Sequence, residues 1–281
     1  MRCLIREFVM RSLTRSLTVS PGLTIGLLMV MVWVVTAAFA PWVAPHEPTA
    51  MGVGPQTAAP SWGHWFGTDQ YGRDILSRVI YGGRYVLAIA PASTLLGLIL
   101  GTLIGLLAAY GRGWLDEVIM RLLDAIMAFP IVVLALLALT VLGSSTLNVI
   151  LVIGLVFAPL IARTARSAAL TEVRKEYVEA ARLRGEGHWY VMVMEVAPNI
   201  RGPLMVEATI RLGYAVFTSA TLGFLGLGVQ PPAPDWGVMV SSSRSLLTTA
   251  PWAVLAPALA IAAVVIGFSL IADGLRDREQ Q

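Results

Sequence analysis

Apolar blocks about as long as a bilayer is thick recur along this chain. A helix needs roughly 20 apolar residues to cross the hydrocarbon core, and in lipid its backbone polar groups must be satisfied within the helix itself. Six such spans are predicted, near 22–41, 85–110, 121–142, 146–162, 203–226 and 251–272. Of the 281 residues, 57% are hydrophobic and 13% are charged, where a soluble domain carries roughly 25% charged residues. The fold class that follows is an all-α integral membrane protein with six transmembrane helices. Cys3 is the single cysteine, which excludes a disulfide framework or a cysteine metal site within one chain.

The basic residues set the expected topology. With a cytoplasmic N-terminus, fifteen of the 20 arginines and lysines fall on the cytoplasmic side; Arg73, Arg78, Arg84 and Arg244 fall outside, and Arg211 lies within a span. This bias obeys the positive-inside rule and places both termini in the cytoplasm of a multi-pass protein of the cell membrane. The net charge of +3 is therefore topological. No basic face with interleaved aromatics speaks for nucleic acid.

The organisation reads as a cytoplasmic tail (1–21), a first transmembrane helix (22–41), an extracytoplasmic segment (42–84), a core of five further spans (85–272) and a cytoplasmic tail (273–281). Ala38-Phe39-Ala40 resembles a signal cleavage box, but the apolar stretch exceeds the usual 7–15 residues and Pro41 follows directly, so an uncleaved anchor is expected. Residues 74–85 alternate apolar and polar groups at helical spacing, as an amphipathic helix lying at the interface would, and a surface met by an external partner is the sharper alternative. His46, His64 and His188 are scattered in sequence, and no metal site is expected of them.

Gly97, Gly101 and Gly105 recur every four residues in the second span and line one helix face, with Thr102 and Ala109 as further small groups. Such a stripe lets a neighbouring backbone approach closely. Gly223, Gly226 and Gly228 end the fifth span at an expected chain reversal. Glu207 and Arg211 are four apart in that span, so they can pair on one face. They read either as a pair turned inward or as a wall of a water-filled path. Asp124 with Arg121 reads as an interfacial pair.

The loop 163–202 is highly charged and falls between two apolar spans. Ala168–Leu183 reads as one helix broken by Gly185 and Gly187, and His188–Glu195 as a second, stopped before Pro198. Tyr177, Ala180, Ala181 and Arg184 fall near one side, and small alanines beside a tyrosine make a shape a partner groove accepts.

Glu179-Ala180-Ala181, Gly185 four residues after Ala181, and Pro198 thirteen residues after that glycine resemble the EAA loop of ABC importer permeases. FGTDQYGRDILSRVIYGGR (66–84), RLLDAIMAFPIVVLALL (121–137), APNIRGPLMVEATI (197–210), LGFLGLGVQPPAPDWG (222–237) and ADGLRD (272–277) follow in the order seen in dipeptide/oligopeptide/nickel permeases. The chain is similar to the second of their two permease subunits over about 15–278. The resemblance implies a type I ABC importer permease fold, in which the EAA loop is a coupling helix that docks on an ATPase. It implies as partners a homologous permease forming a heterodimer, two ABC ATPase subunits and an extracytoplasmic substrate-binding protein. By position, Tyr177, Glu179, Ala180, Ala181 and Gly185 would be the docking residues. Ala197, Glu195, Gly223, Ser269 and Ala272 depart from the family's usual residues, which touches ATPase and substrate subfamily but leaves the EAA core.

The chain cannot be the motor. A Walker A loop needs Gly-Lys-Ser/Thr, and the single lysine, Lys175, lies between Arg174 and Glu176. No cofactor is expected in this chain; ATP and Mg belong to the partner ATPases. A secondary transporter would show internal repeats with broken helices, and a channel a filter or charged ring; neither pattern is found. Peptides are the expected substrate, with nickel chelates, glutathione-like compounds and sugars as alternatives.

Overall fold

A computed structural model describes residues 21–111 and 113–279, so the basic N-terminal tail and Arg112 lie outside the described residues. The described residues form helices α1 (Pro21–Ala38), α2 (Ala40–Val43), α3 (Ile75–Gly111), α4 (Trp114–Met127), α5 (Ile131–Leu142), α6 (Thr146–Glu172), α7 (Glu176–Leu183), α8 (His188–Tyr190), α9 (Arg201–Phe224), α10 (Trp236–Ser243) and α11 (Trp252–Glu279). Among them α1, α3, α6 and α11 are long and apolar enough to cross a membrane. The pair α4 and α5 is a fifth candidate, bent by 85°. The 24-residue α9 is long enough, but Arg201, Glu207 and Arg211 dilute its apolarity.

The centre of the bundle is the parallel pair α3 and α6. A β-carbon added to Gly97 would lie 2.9 Å from the Gly154 carbonyl oxygen, one at Gly101 2.7 Å from that of Ala158, and one at Gly105 2.5 Å from that of Ala162. Hydrogen in place of a side chain at four-residue intervals is what brings the two backbones into contact. Phe157, Ile153 and Ile161 of α6 fill the space beside the stripe and are fully buried. At the periphery, α1 crosses α11 through Gly26, whose added β-carbon would meet the Gly267 carbonyl at 2.7 Å. α9 packs against α11, α3 and α6.

Three readings of the sequence need correction. The expected interfacial helix over 74–85 is the first part of α3, which runs unbroken for 37 residues. Its apolar positions Ile75, Val79 and Ile80 are covered by protein rather than turned to lipid headgroups, and the Trp236 indole donates to the Val79 carbonyl at 2.8 Å. The third span, read as one helix, is two. Pro130 disfavours a helical residue before it, and α4 stops at Met127 while α5 resumes at Ile131. The single helix expected over Ala168–Leu183 is also broken, at Val173–Lys175, where Lys175 is extended (ψ 151°) and starts α7.

Residues 44–74 fold over the start of α3 as a cap. Thr68 and Asp74 bridge antiparallel, and the Thr68 hydroxyl donates to the Pro55 carbonyl. Asp69, Arg73 and Arg78 are all buried. Arg73 Nε donates to Asp69 at 2.7 Å, Arg78 Nε lies 3.8 Å from the same carboxylate, and Arg78 Nη1 donates to the Pro48 carbonyl at 2.8 Å. Burying a carboxylate between two arginines is tolerated only where its oxygens are hydrogen-bonded, and the backbone does this for Asp69: the Tyr71 and Arg73 amides both donate to its Oδ1, while among the described residues Arg78 Nε has no hydrogen-bond partner.

Candidate functional site

At the opposite end of the bundle α6 continues past the apolar part of its sequence and carries the 173–200 loop. Glu172, its last residue, is the anchor. The Tyr177 hydroxyl donates to Glu172 Oε2 at 2.8 Å and Lys175 Nζ to Oε1 at 2.6 Å. Burial, and then the bond to Glu172, push the Tyr177 hydroxyl up to about 12 from the ordinary 10.0. The neutral, donating form is therefore favoured by folding below pH 10, and the contribution is lost as pH rises through about 12.

The eight residues of α7 divide between two faces at helical period. Val178 and Ala181 are fully buried against the chain's own core. Glu179, Ala180 and Arg182 are exposed, and Leu183 is 85% exposed. Of the five residues singled out from sequence, Glu179, Ala180 and Gly185 thus reach the surface, Tyr177 is half-buried and occupied with Glu172, and Ala181 is turned inward. Ala181 seats the helix and is not available to a partner. Glu179 makes no ion pair among the described residues. Gly185 takes φ +82°, with open space around its α-carbon, and turns the chain sharply at the end of α7.

Beyond that turn the second helix expected over His188–Glu195 is a short α8 followed by a π-helical turn (Val191–Val196) and a 3-10 turn (Ala197–Ile200). Val191, Met192 and Val196 plug the core, while Trp189, Tyr190 and Met194 remain exposed. Arg184 lies 3.4 Å from Glu195 and 3.8 Å from Glu186. The Arg182 guanidinium sits 5.2 Å above the Tyr110 ring and His188 meets the same ring edge-on at 5.1 Å, so the end of α3 supports the loop from below.

The amphipathic α4 is tied to α6 beside this loop. Arg166 grips Asp116 with two bonds of 2.5 Å, and Arg163 reaches Asp124 at 2.5 Å. The pairing expected between Arg121 and Asp124 is not formed. Arg121 bonds Glu117 one turn away at 3.0 Å, the favourable i,i+4 geometry, which leaves Asp124 to face α6.

Glu207 and Arg211 do pair within α9. Arg211 Nη2 lies 2.6 Å from Glu207 Oε1 and its Nε donates to the same oxygen at 2.7 Å. Both side chains are largely buried, and the guanidinium lies 5.4 Å from the Tyr214 ring and 5.8 Å from the Phe157 ring. Two aromatic faces and one carboxylate surround the cation, an arrangement that lets a charge persist away from water. A shallow cavity of about 380 Å³, lined by Ile210, Gly213, Tyr214, Phe217, Val265 and Ser269 among others, opens one turn further along α9.

At the end of α9 the glycines act together. Gly226 takes φ +87°; an added β-carbon at Gly223 would run into the Asp235 carboxylate, and one at Gly228 into the Gly223 α-carbon. Asp235 caps α10 by accepting from the Val238 amide at 2.9 Å, and burial pushes its carboxyl above the ordinary value. Sequence reading missed Glu172, Leu183 and Asp235. Leu183 had a local signal, an isolated leucine among charged residues in a loop outside the spans.

Residues 101–279 match the family described as binding-protein-dependent transport system inner membrane component. The chain is 42% identical over 258 residues to the di/tripeptide transport system permease protein DppC of Pseudomonas aeruginosa (strain UCBPP-PA14), covering 90% of this chain and 85% of that one. It is 38% identical over 253 residues to the dipeptide transport system permease protein DppC of Alkalihalophilus pseudofirmus, covering 90% and 83%. A chain of the MetNI methionine ABC transporter in an inward-facing conformation superposes with a TM-score of 0.55, at 20% identity over 72% of this chain and 96% of that one, a likeness of fold. A match over this length and at this identity means that the chain belongs to the family of binding-protein-dependent transport system inner membrane components.

Proposed function

We propose that this chain is one of two permease subunits of an ABC importer for short peptides. It spans the cell membrane six times, α9 and the bent α4–α5 pair included, with both termini in the cytoplasm. A homologous permease completes the path as a heterodimer, an extracytoplasmic binding protein delivers the peptide, and two ATPase subunits bind ATP and Mg. This chain is not itself an enzyme. The peptide specificity follows the relatives named dipeptide and di/tripeptide permeases.

The observation that carries the reading is the seating of α7. Its inner face is locked into the core through Val178 and Ala181, Tyr177 ties it to the end of α6, and its outer face presents Glu179, Ala180 and Leu183. We assign that outer face, with the turn at Gly185, as the coupling helix. A carboxylate flanked by small and apolar groups suits a basic, apolar-lined groove on the ATPase. Force applied to α7 would pass through the Tyr177–Glu172 contact to α6, and through the glycine stripe to α3. Glu207 and Arg211 are the candidate charged lining of the translocation path. Their fixed pair would offer a peptide's termini partners of either sign once the aromatic neighbours move apart.

The test is peptide uptake by proteoliposomes holding the assembled complex, wild type beside Glu179→Arg. Charge reversal at a docking face sets like charges together, at a cost of several kcal/mol. Uptake should fall by at least about tenfold, with less ATPase recovered when the tagged chain is purified in mild detergent. Normal uptake in the mutant would remove α7 from the docking surface.

A further inference from the structure

The histidines that are scattered in sequence are not scattered in space. His46 follows α2, His64 comes from the middle of the cap, and Asp74 immediately precedes α3; the three converge. His64 Nδ1 lies 3.0 Å from Asp74 Oδ1 and His46 Nδ1 lies 3.9 Å from the same oxygen. The three donor atoms all fall within 4.8 Å of one another. The two imidazoles are 4.9 Å apart with planes inclined by 31°. Tetrahedral zinc with arms of about 2.0–2.1 Å has its ligand atoms roughly 3.3–3.4 Å apart. The separations here bracket that spacing, so small side-chain rotations would close three ligands on one ion.

Two further observations point to a ligand. Among the described residues His46 Nδ1 is buried without a hydrogen-bond partner, although buried polar atoms are nearly always satisfied. Asp74 is also held as a metal-binding carboxylate is held by its surroundings. Its Oδ2 accepts from the Ser77 amide at 2.8 Å and the Ser77 hydroxyl at 2.7 Å, which leaves Oδ1 aimed at the histidines. The same Ser77 hydroxyl accepts from the His46 amide at 3.0 Å, so one residue orients two of the three donors. Supporting bonds of this kind fix ligand orientation in metal sites.

We propose that His46, His64 and Asp74 bind one divalent cation of the zinc type, with a fourth position open to water. Two imidazole nitrogens and one carboxylate are a donor set suited to zinc, and His188 stands at the far end of the bundle. The ion would join two separate stretches of the cap to the residue that starts α3, making the cap's attachment depend on metal. The site stands on the cap alone and is independent of what the chain transports.

The experiment uses the full chain, purified in detergent with a histidine-free tag and stripped with a chelator. Cobalt is titrated in first, then displaced by zinc. Bound zinc per chain is measured by mass spectrometry, for wild type, His46→Ala, His64→Ala and His188→Ala. We expect about one zinc per chain, the visible absorption of cobalt in a tetrahedral site, and a zinc-dependent rise in the unfolding midpoint. His188→Ala should match wild type, and His46→Ala should bind at least about tenfold more weakly. His64→Ala also breaks a bond to Asp74 and can lower yield; His46→Ala, whose Nδ1 has no hydrogen-bond partner among the described residues, then decides alone. An octahedral cobalt spectrum in the wild type, or equal zinc binding in wild type and His46→Ala, would overturn the site.

Discussion

The two ends of the bundle are built on different electrostatics. In the cap and the first turn of α3, Asp69, Arg73, Arg78 and Asp74 are buried; the two carboxylates each accept several hydrogen bonds, and each guanidinium donates one, Arg73 to Asp69 and Arg78 to the Pro48 carbonyl. In the 173–200 loop Lys175, Arg182 and Arg184 are exposed; Lys175 pairs with nearby Glu172, Arg184 makes two long pairs with Glu186 and Glu195, and Arg182 lies over the Tyr110 ring. A desolvated network tolerates few alternative geometries, because a lost partner leaves a buried charge behind. Solvated pairs contribute about 0–1 kcal/mol and rearrange freely. The cap is thus tied to one shape by buried charges, whereas the loop is held through the buried Val178 and Ala181 and carries its charges on the exposed face.

Breaking the cap should have the largest effect. Asp69→Ala strands two buried guanidinium groups, and we expect a loss of about 3–5 kcal/mol, seen as little folded chain recovered from membranes. Gly101→Leu follows. The atoms in the way are the Ala158 carbonyl oxygen and Ile161, so the α3–α6 contact must open, at about 3 kcal/mol, the upper end of the usual range for overpacking. Thermal unfolding in detergent would register it, and an unchanged midpoint would mean that the stripe does not set the spacing. Tyr177→Phe removes one bond to a carboxylate and should lower the unfolding midpoint by an amount equivalent to about 1.5 kcal/mol, the low end for a bond to a charged group. Its effect on transport should exceed its effect on stability, since the bond joins α7 to α6. Arg184→Ala should change stability by less than about 1 kcal/mol. If it instead matched Asp69→Ala, the contrast between the two ends would fail.

What was legible in the sequence was whatever repeats locally. The spacing of Gly97, Gly101 and Gly105 announces a close helix contact, because i,i+4 positions share a face whatever the rest of the chain does. The helical span over 121–142 was misread because apolarity was followed through Pro130, although proline restricts the residue before it. Ala180 and Ala181 look alike in the motif, yet one is exposed and the other fully buried. Val178 was the clue, since it lies three residues before Ala181 and shares its face. The gathering of His46, His64 and Asp74 had no local signature, as the loops that bring them together carry no period. Asp69 with Arg78 is hidden in the same way, joined only once the cap folds over α3.

The joint between α3 and α6 has a mechanical consequence. α6 is 27 residues long, roughly 40 Å at 1.5 Å per residue. With backbone pressed on backbone at three successive turns, the two rods cannot slide or roll past each other. They behave as one stiff beam with the cap fastened at one end and α7 hung from the other. If α7 is moved by a partner, the Tyr177–Glu172 tie would pass that movement to the cap as a tilt of the whole beam. Compliance would then reside in the short break at Val173–Lys175, in the bend at Pro130, and within the beam at Pro91 and Pro159, where a proline removes a helix hydrogen bond.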